Sequence, residues 1–141
     1  MTDCIFCKII AKEVPADLLY EDDYVIAFLD INPVAKGHCL VLPKQHYEKL
    51  EDIPEDLLKE FIVRLKKIAK ILIKATEKEG FNIVVNNGKA AGQLVFHSHW
   101  HIMPRSKDDG VDIRGHKLYK YEEGEKEEII KKFKEILENE S

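Results

Sequence analysis

An α+β domain, an antiparallel sheet backed by one long helix, is what this sequence of 141 residues predicts. Three observations carry the expectation. Side chains alternate with a period of two from Tyr24 to Leu29, and two further short, largely apolar segments stop at Pro43 and Pro104. One segment after Pro54 carries apolar residues at three- and four-residue spacing. The breaks are short and marked by Gly, Pro or Asn, as connections between antiparallel neighbours are. The length fits a single domain over 1–141, with a core at 4–105 and a C-terminal extension at 106–141. A chain of this size buries roughly 68–70% of its unfolded surface, so it needs neither disulfide nor metal merely to fold.

In order, Cys4 to Ala11 carries Ile5, Phe6, Ile9 and Ile10 and reads as one short helix or a turn. Leu18 to Asp30 reads as two strands around Asp22 and Asp23. Val25, Ala27 and Leu29 alternate there with Tyr24, Ile26 and Phe28, which implies cover on both faces. Asn32 and Pro33 mark a turn. Gly37 precedes HCLVLP, a strand that stops at Pro43 because proline has no N–H for the ladder. Pro54, Glu55 and Asp56 open the long helix, whose stripe is Phe61, Leu65, Ile68, Leu72 and Ala75, and Gly80 is expected to stop it. FNIVVNN and LVFHSHWHIM are two further strands, joined by the short connection Gly88 to Gly92, with Pro104 ending the second. Arg105 to Gly124 has no clear period, and Glu125 to Glu138 reads as a terminal amphipathic helix. No internal repeat or low-complexity tract interrupts the chain.

Composition narrows the function. Hydrophobic residues at 45% and charged residues at 34% exclude disordered and low-complexity classes. A net charge of -4 opposes a long nucleic-acid partner. No apolar run reaches the ~20 residues that cross a bilayer, and MTDCIFCKII lacks a signal peptide's basic start and cleavage site; a cytoplasmic protein with no membrane partner is expected. Cys4, Cys7 and Cys39 make an odd set, which favours reduced thiols or metal ligation over disulfides. Cys39, in an apolar stretch, reads as a buried small hydrophobe.

Half of the six histidines lie in His97-Ser98-His99-Trp100-His101. On a strand this alternation puts three imidazoles on one face, an arrangement folding does not reward, because rings that charge there repel and lose solvation. Two chemistries fit: a metal site, or attack by one ring while its neighbours manage protons and charge. Asp108, Asp109 and Asp112 lie beyond Pro104 in the irregular stretch, away from the cluster, which favours the nucleophile. So does GKAAG upstream, whose glycines let backbone amides approach a phosphate. His116 reads as a surface residue. The Cys4-x-x-Cys7 pair is a redox pair or half of a tetrahedral zinc site.

HSHWHIM, together with GHCLVLPKQH and FLDINP in the same order, resembles the histidine triad (HIT) family from Cys4 to Arg105. The resemblance implies an antiparallel sheet of about five strands with one long helix, a short N-terminal helix and a C-terminal helix, paired as a homodimer. It also implies a nucleotide hydrolase or transferase. The expected reaction is cleavage at the α-phosphate of a purine nucleoside phosphoramidate, of the AMP-NH2 or AMP-lysine type, through a nucleotidyl-histidine. By position His99 resembles the nucleophile, and His101 and His38 the rings that orient the phosphate and handle leaving-group charge. Asp30 resembles the acceptor of the ribose hydroxyls. Ile5, Phe6, Ile9 and Ile31 resemble the purine walls, with simple core as the equal alternative; Asn86, Gly92 and Gln93 resemble the polar set beside the phosphate, Gln93 being equally a loop support. In similar proteins, and in the related galactose-1-phosphate uridylyltransferases, a cysteine pair joins two histidines. Here those would be His46 and His97, completing one structural Zn2+ per chain. Leu94 departs from the pattern, which often has Ser or Thr there to assist the leaving group. HIMPR looks like the dinucleoside polyphosphate branch, whereas CIFCKII looks like the phosphoramidase branch. A non-catalytic nucleotide- or partner-binding module, and a hydrolase whose triad itself holds zinc, stay open at this point.

Overall fold

The computed structural model describes residues 3–140. The chain runs through α1 (Ile5–Ile10), β1 (Leu18–Glu21), β2 (Val25–Leu29), β3 (Cys39–Pro43), α2 (Glu55–Thr76), β4 (Gly80–Val85), β5 (Trp100–Arg105) and α3 (Glu125–Glu140). The strands form one antiparallel sheet in the order β1-β2-β3-β5-β4. The α+β class and the strand count are those expected. No described helix is long and apolar enough to cross a membrane.

The period of two in β2 and β3 sorts their side chains between two cores. Val25, Ala27, Leu29, Cys39 and Val41 pack with Trp100 and Ile102 against Phe61, Leu65, Ile68 and Leu72 of α2 and Ile129 and Phe133 of α3. Ile26, Phe28, Leu40 and Leu42 face the other way, under Phe6 and Ile9 of α1. Every residue of β2 and β3 is buried, so both faces are covered. Each large apolar side chain removed from water in this way contributes roughly 1.5–3 kcal/mol before conformational entropy is subtracted.

One open reading is decided and three boundaries differ from expectation. Cys4 to Ala11 resolves as a helix, with the Cys4 Sγ accepting from the Cys7 N–H as its cap. α2 ends at Glu77, which takes a left-handed backbone (φ 56°) and returns its N–H to the carbonyls of Ile73 and Lys74; Gly80 instead begins β4. β5 begins at Trp100 rather than Leu94, so the β4–β5 connection spans 86–99 instead of Gly88 to Gly92. The cause is tertiary: Ser98 donates its N–H to Tyr47 and Gln93 its side chain to Glu48, which ties this stretch to the segment after β3. Finally, β5 passes through Pro104 to Arg105, because pairing with β3 ends at Ile102 and only β4 lies beside the proline.

Candidate functional site

His101, on β5, lies opposite Leu40 on the sheet face that carries α1. His99 and His97 precede the strand, and His38 precedes β3. The rings of His99, His101 and His38 form a row with centroids 5.3 Å and 5.1 Å apart. Phe6 closes one end of it, edge-on to His99 at 4.9 Å. Of the two readings of the triad, three rings on one strand face gives way to the set the resemblance implied, because His97 leaves the row and turns to the cysteines.

Backbone contacts dictate the tautomers. The Val34 N–H donates to His38 Nδ1 at 3.0 Å, so the proton of the neutral ring sits on Nε2, which donates to His101 Nδ1 at 2.9 Å. His101 then carries its own proton on Nε2. His99 donates Nδ1–H to the His97 carbonyl at 2.8 Å, leaving its Nε2 with a free lone pair. Burial is the leading cause that pulls His38 and His101 down to about 4 and His99 below the ordinary imidazole value. All three are neutral at pH 7. Asp30 follows β2, and its Oδ2 lies 3.4 Å from His38 Nε2 and 3.8 Å from His101 Nδ1. Burial pushes Asp30 up, opposed in part by the Asn32 N–H on Oδ1. This contact of Asp30 with the imidazole pair was not visible in the sequence; only its shared spacing with Asn32 hinted at a turn.

The second cluster is built from α1, the loop after β3 and the approach to β5. Cys7 Sγ lies 3.3 Å from His46 Nδ1 and 3.6 Å from His97 Nδ1, and Cys4 Sγ lies 3.5 Å from His97 Nδ1. Zn–S and Zn–N bonds of about 2.3 and 2.0–2.1 Å in a tetrahedron separate sulfur and nitrogen by roughly 3.5 Å. The four ligand atoms all lie within 4.8 Å of one another, and the set Cys2His2 suits zinc. His97, fully buried, points Nε2 at the Pro43 carbonyl at 2.8 Å, which leaves Nδ1 as the donor to a metal and supplies the outer contact such a ligand requires. Asp30, His38 and His101 also converge. There, however, the 2.9 Å contact is a hydrogen bond and the second nitrogen of His38 is taken by Val34.

The remaining expected residues divide. Phe6 and Ile9 are buried in the α1 core, with Phe6 also on His99; Ile5 is exposed, and Ile31 is 86% exposed. Gln93 is buried and spends its side chain on Gly88, Glu48 and Val95, so it supports the loop. The GKAAG amides expected beside a phosphate are in part already engaged. The N–H groups of Gly88, Ala91, Gly92 and Gln93 are all bonded within the loop, because Lys89–Ala91 closes a 3-10 turn capped by Gly92 in the left-handed region. The Asn86 side chain, just past β4, has no hydrogen-bond partner among the described residues. Asn87, which sequence reading passed over, accepts from the Leu50 N–H at 2.8 Å. Leu94 is 88% exposed. Cys39 is buried and His116 is a surface residue paired with Asp112, both as expected.

Comparison with known proteins places these features. Residues 11–108 match the model of the HIT domain. The chain is 53% identical to an uncharacterized HIT-like protein of Methanocaldococcus jannaschii, covering 79% of this chain and 85% of that one. It is 42% identical to the adenosine 5'-monophosphoramidase of Saccharomyces cerevisiae, over 95% of this chain and 80% of that one. Among solved structures, a Zn-bound histidine triad family protein from Mycobacterium smegmatis superposes with a TM-score of 0.85 at 31% identity, covering 98% of both chains. With the match spanning the whole sheet, the chain belongs to the HIT domain, or histidine triad, family.

Proposed function

We propose that this protein hydrolyses purine nucleoside phosphoramidates at the α-phosphate, with His99 as the nucleophile. The observation that carries the reading is the 2.8 Å bond from His99 Nδ1 to the His97 carbonyl, which presents a neutral ring with Nε2 unprotonated beside the His101–His38 pair. The family and the yeast phosphoramidase relative support the substrate class. His99 Nε2 attacks phosphorus and the P–N bond breaks; Nδ1–H, already held by a carbonyl, stabilises the positive charge that develops on the ring. Water then attacks phosphorus, the P–Nε2 bond breaks, and the nucleoside monophosphate leaves. His101 Nε2–H donates to a phosphate oxygen, and His38 holds the tautomer that makes this possible. Asp30 orients that pair and keeps acceptor capacity for a ribose hydroxyl, while Phe6, Ile5, Ile9 and Ile31 border the base and Asn86 and Gly92 the phosphate. Cys4, Cys7, His46 and His97 hold zinc. When bound, the metal closes a structural cross-link and supplies no open position for chemistry.

One observation favours a second reading. Neutral His38 and His101 have no acidic proton to give, and Leu94 has no hydroxyl, so an amine leaving group must draw its proton from solvent. A polyphosphate leaving group needs none, which favours dinucleoside polyphosphates as alternative substrates.

We also propose a twofold dimer through β4. This strand is a sheet edge, and Phe81 and Ile83, which share the face of the inward-packed Val85, are 45% and 40% exposed. Ile62 and Val63 of α2 are exposed as well. Pairing of two β4 edges would continue the sheet and cover these side chains.

The test is hydrolysis of an adenosine phosphoramidate and of diadenosine polyphosphates by wild type and His99→Ala, with zinc measured on the same samples. Phosphoramidate turnover lost in the variant supports the first reading, and preference for polyphosphates the second. Nucleotide binding with no turnover of either substrate would leave a binding module.

A further inference from the structure

The segment between β5 and α3 lies largely outside the matched domain, yet it grips the turn that carries His38. Tyr119 donates its N–H to the Pro33 carbonyl at 2.8 Å and its hydroxyl to the Glu125 carboxylate at 2.9 Å. That carboxylate lies 3.3 Å from Lys36 Nζ. The Tyr121 hydroxyl, packed edge-to-face against the Tyr119 ring, accepts from the Gly37 N–H at 2.8 Å. Contacts therefore fall on Pro33, Lys36 and Gly37, three of the five residues that precede His38.

The turn itself has no slack. Gly37 has φ +87°, and a Cβ there would stand 2.7 Å from Thr76 Cγ2 and 3.2 Å from Pro104 Cγ, so its backbone is pressed between α2 and β5. His38 is locked on every side: its N–H goes to Ala35, its carbonyl accepts from Asp30, and its Nδ1 accepts from Val34. The Gly37 N–H belongs to the Lys36–Gly37 peptide, so a rotation there changes the φ of Gly37 and with it the direction in which the chain enters His38. Tyr121→Phe would leave the Gly37 N–H without its acceptor, and the Lys36–Gly37 peptide would turn to find another.

We propose that Tyr121 is a positioning residue: by holding the Gly37 N–H it fixes the His38 ring, and through the His38–His101 hydrogen bond it fixes which nitrogen of His101 bears the proton. Its catalytic consequence rests on the enzymatic reading above; its structural content does not.

The experiment is a long-range 1H–15N spectrum of the histidine rings, without substrate, for wild type, Tyr121→Phe and Ile130→Ala. Ile130, in the second turn of α3, packs on the main core and serves as a control for general weakening. In wild type His38 and His101 each show one neutral Nε2–H tautomer. In Tyr121→Phe their nitrogen shifts move toward the two-tautomer average, and kcat falls about tenfold while KM changes less than about twofold. Ile130→Ala lowers the melting temperature and leaves the spectra unchanged. Tyr121→Phe that melts earlier yet keeps both tautomers and kcat would overturn the proposal. Should that variant not fold, Glu125→Gln, which loosens the same segment from Lys36 and Tyr119, carries the test with the same two outcomes. An active His99→Ala would remove the enzymatic reading, while the spectra would still decide this one.

Discussion

The carbonyl of His97 accepts the Nδ1–H of His99 at 2.8 Å, while the His97 ring faces the sulfurs of Cys4 and Cys7 at 3.5 Å and 3.6 Å. One residue therefore belongs to both clusters. Its side chain completes the cysteine set, and its backbone holds the ring whose free nitrogen is the proposed nucleophile. Order in the cysteine cluster is transmitted to His99 over two residues of chain.

Removing a ligand should accordingly be felt twice. Cys7→Ser is expected to lose zinc, to drop the melting temperature by roughly 5–10 °C, and to raise KM through release of α1 and its Phe6. Metal analysis, calorimetry and kinetics on one preparation check this. A variant with full zinc content, or one that loses zinc with no change in melting, would contradict the assignment.

His99→Ala should lower kcat by about 10³-fold or more with the fold intact, since in the row it forms with His101 and His38 the unprotonated nitrogens of the other two rings already accept hydrogen bonds. Rapid quench of the wild type into alkaline denaturant, in which the P–N bond to imidazole survives, followed by intact-mass measurement should reveal one added nucleotidyl group, absent from the variant.

Acid should weaken the fold through its buried histidines. His38 and His101 titrate at about 4 in the folded chain against an ordinary value of 6.5. Above pH 6.5 both states are neutral and stability is complete. Between 6.5 and 4 the unfolded chain binds protons that the folded chain refuses, so stability falls as pH falls, by up to about 1.4 kcal/mol per pH unit for each histidine. Denaturant titrations from pH 7.5 to 4.5 check this, and His38→Gln should flatten the slope over that window.

Leu94→Ser should shift substrate preference. With its side chain 88% exposed, the substitution is expected to change stability by less than about 0.5 kcal/mol. A hydroxyl able to pass a proton should raise kcat/KM for an adenosine phosphoramidate about tenfold or more while leaving diadenosine polyphosphates nearly unchanged. An equal change for both substrates would show that proton supply does not limit the reaction.

Phe81→Asp with Ile83→Asp should convert the protein to a monomer in sedimentation at micromolar concentration, because two charges would be placed on the apolar β4 edge. A double variant that sediments like wild type would contradict the proposed β4 dimer.

What the amino-acid sequence determined by itself is what depends on neighbours in the chain. The period-two runs of Val25–Leu29 and Cys39–Pro43 and the stripe from Phe61 to Ala75 carry their own hydrophobic periodicity, so the sheet and the long helix were legible, as were the residue types of the site. Tertiary structure decided the rest. His97, His99 and His101 are equivalent in spacing, but the Pro43 carbonyl and the α1 thiols draw one ring away, and the hydrogen bond of Ser98 to Tyr47 keeps two of them off the strand. Likewise the Gln93 side chain is taken by Gly88, Glu48 and Val95, and Tyr121 reaches Gly37 from 84 residues along the chain. A polar group's role follows from the partner that satisfies it, and for these groups many of the deciding partners are brought close only by packing of the sheet, α1 and the C-terminal segment.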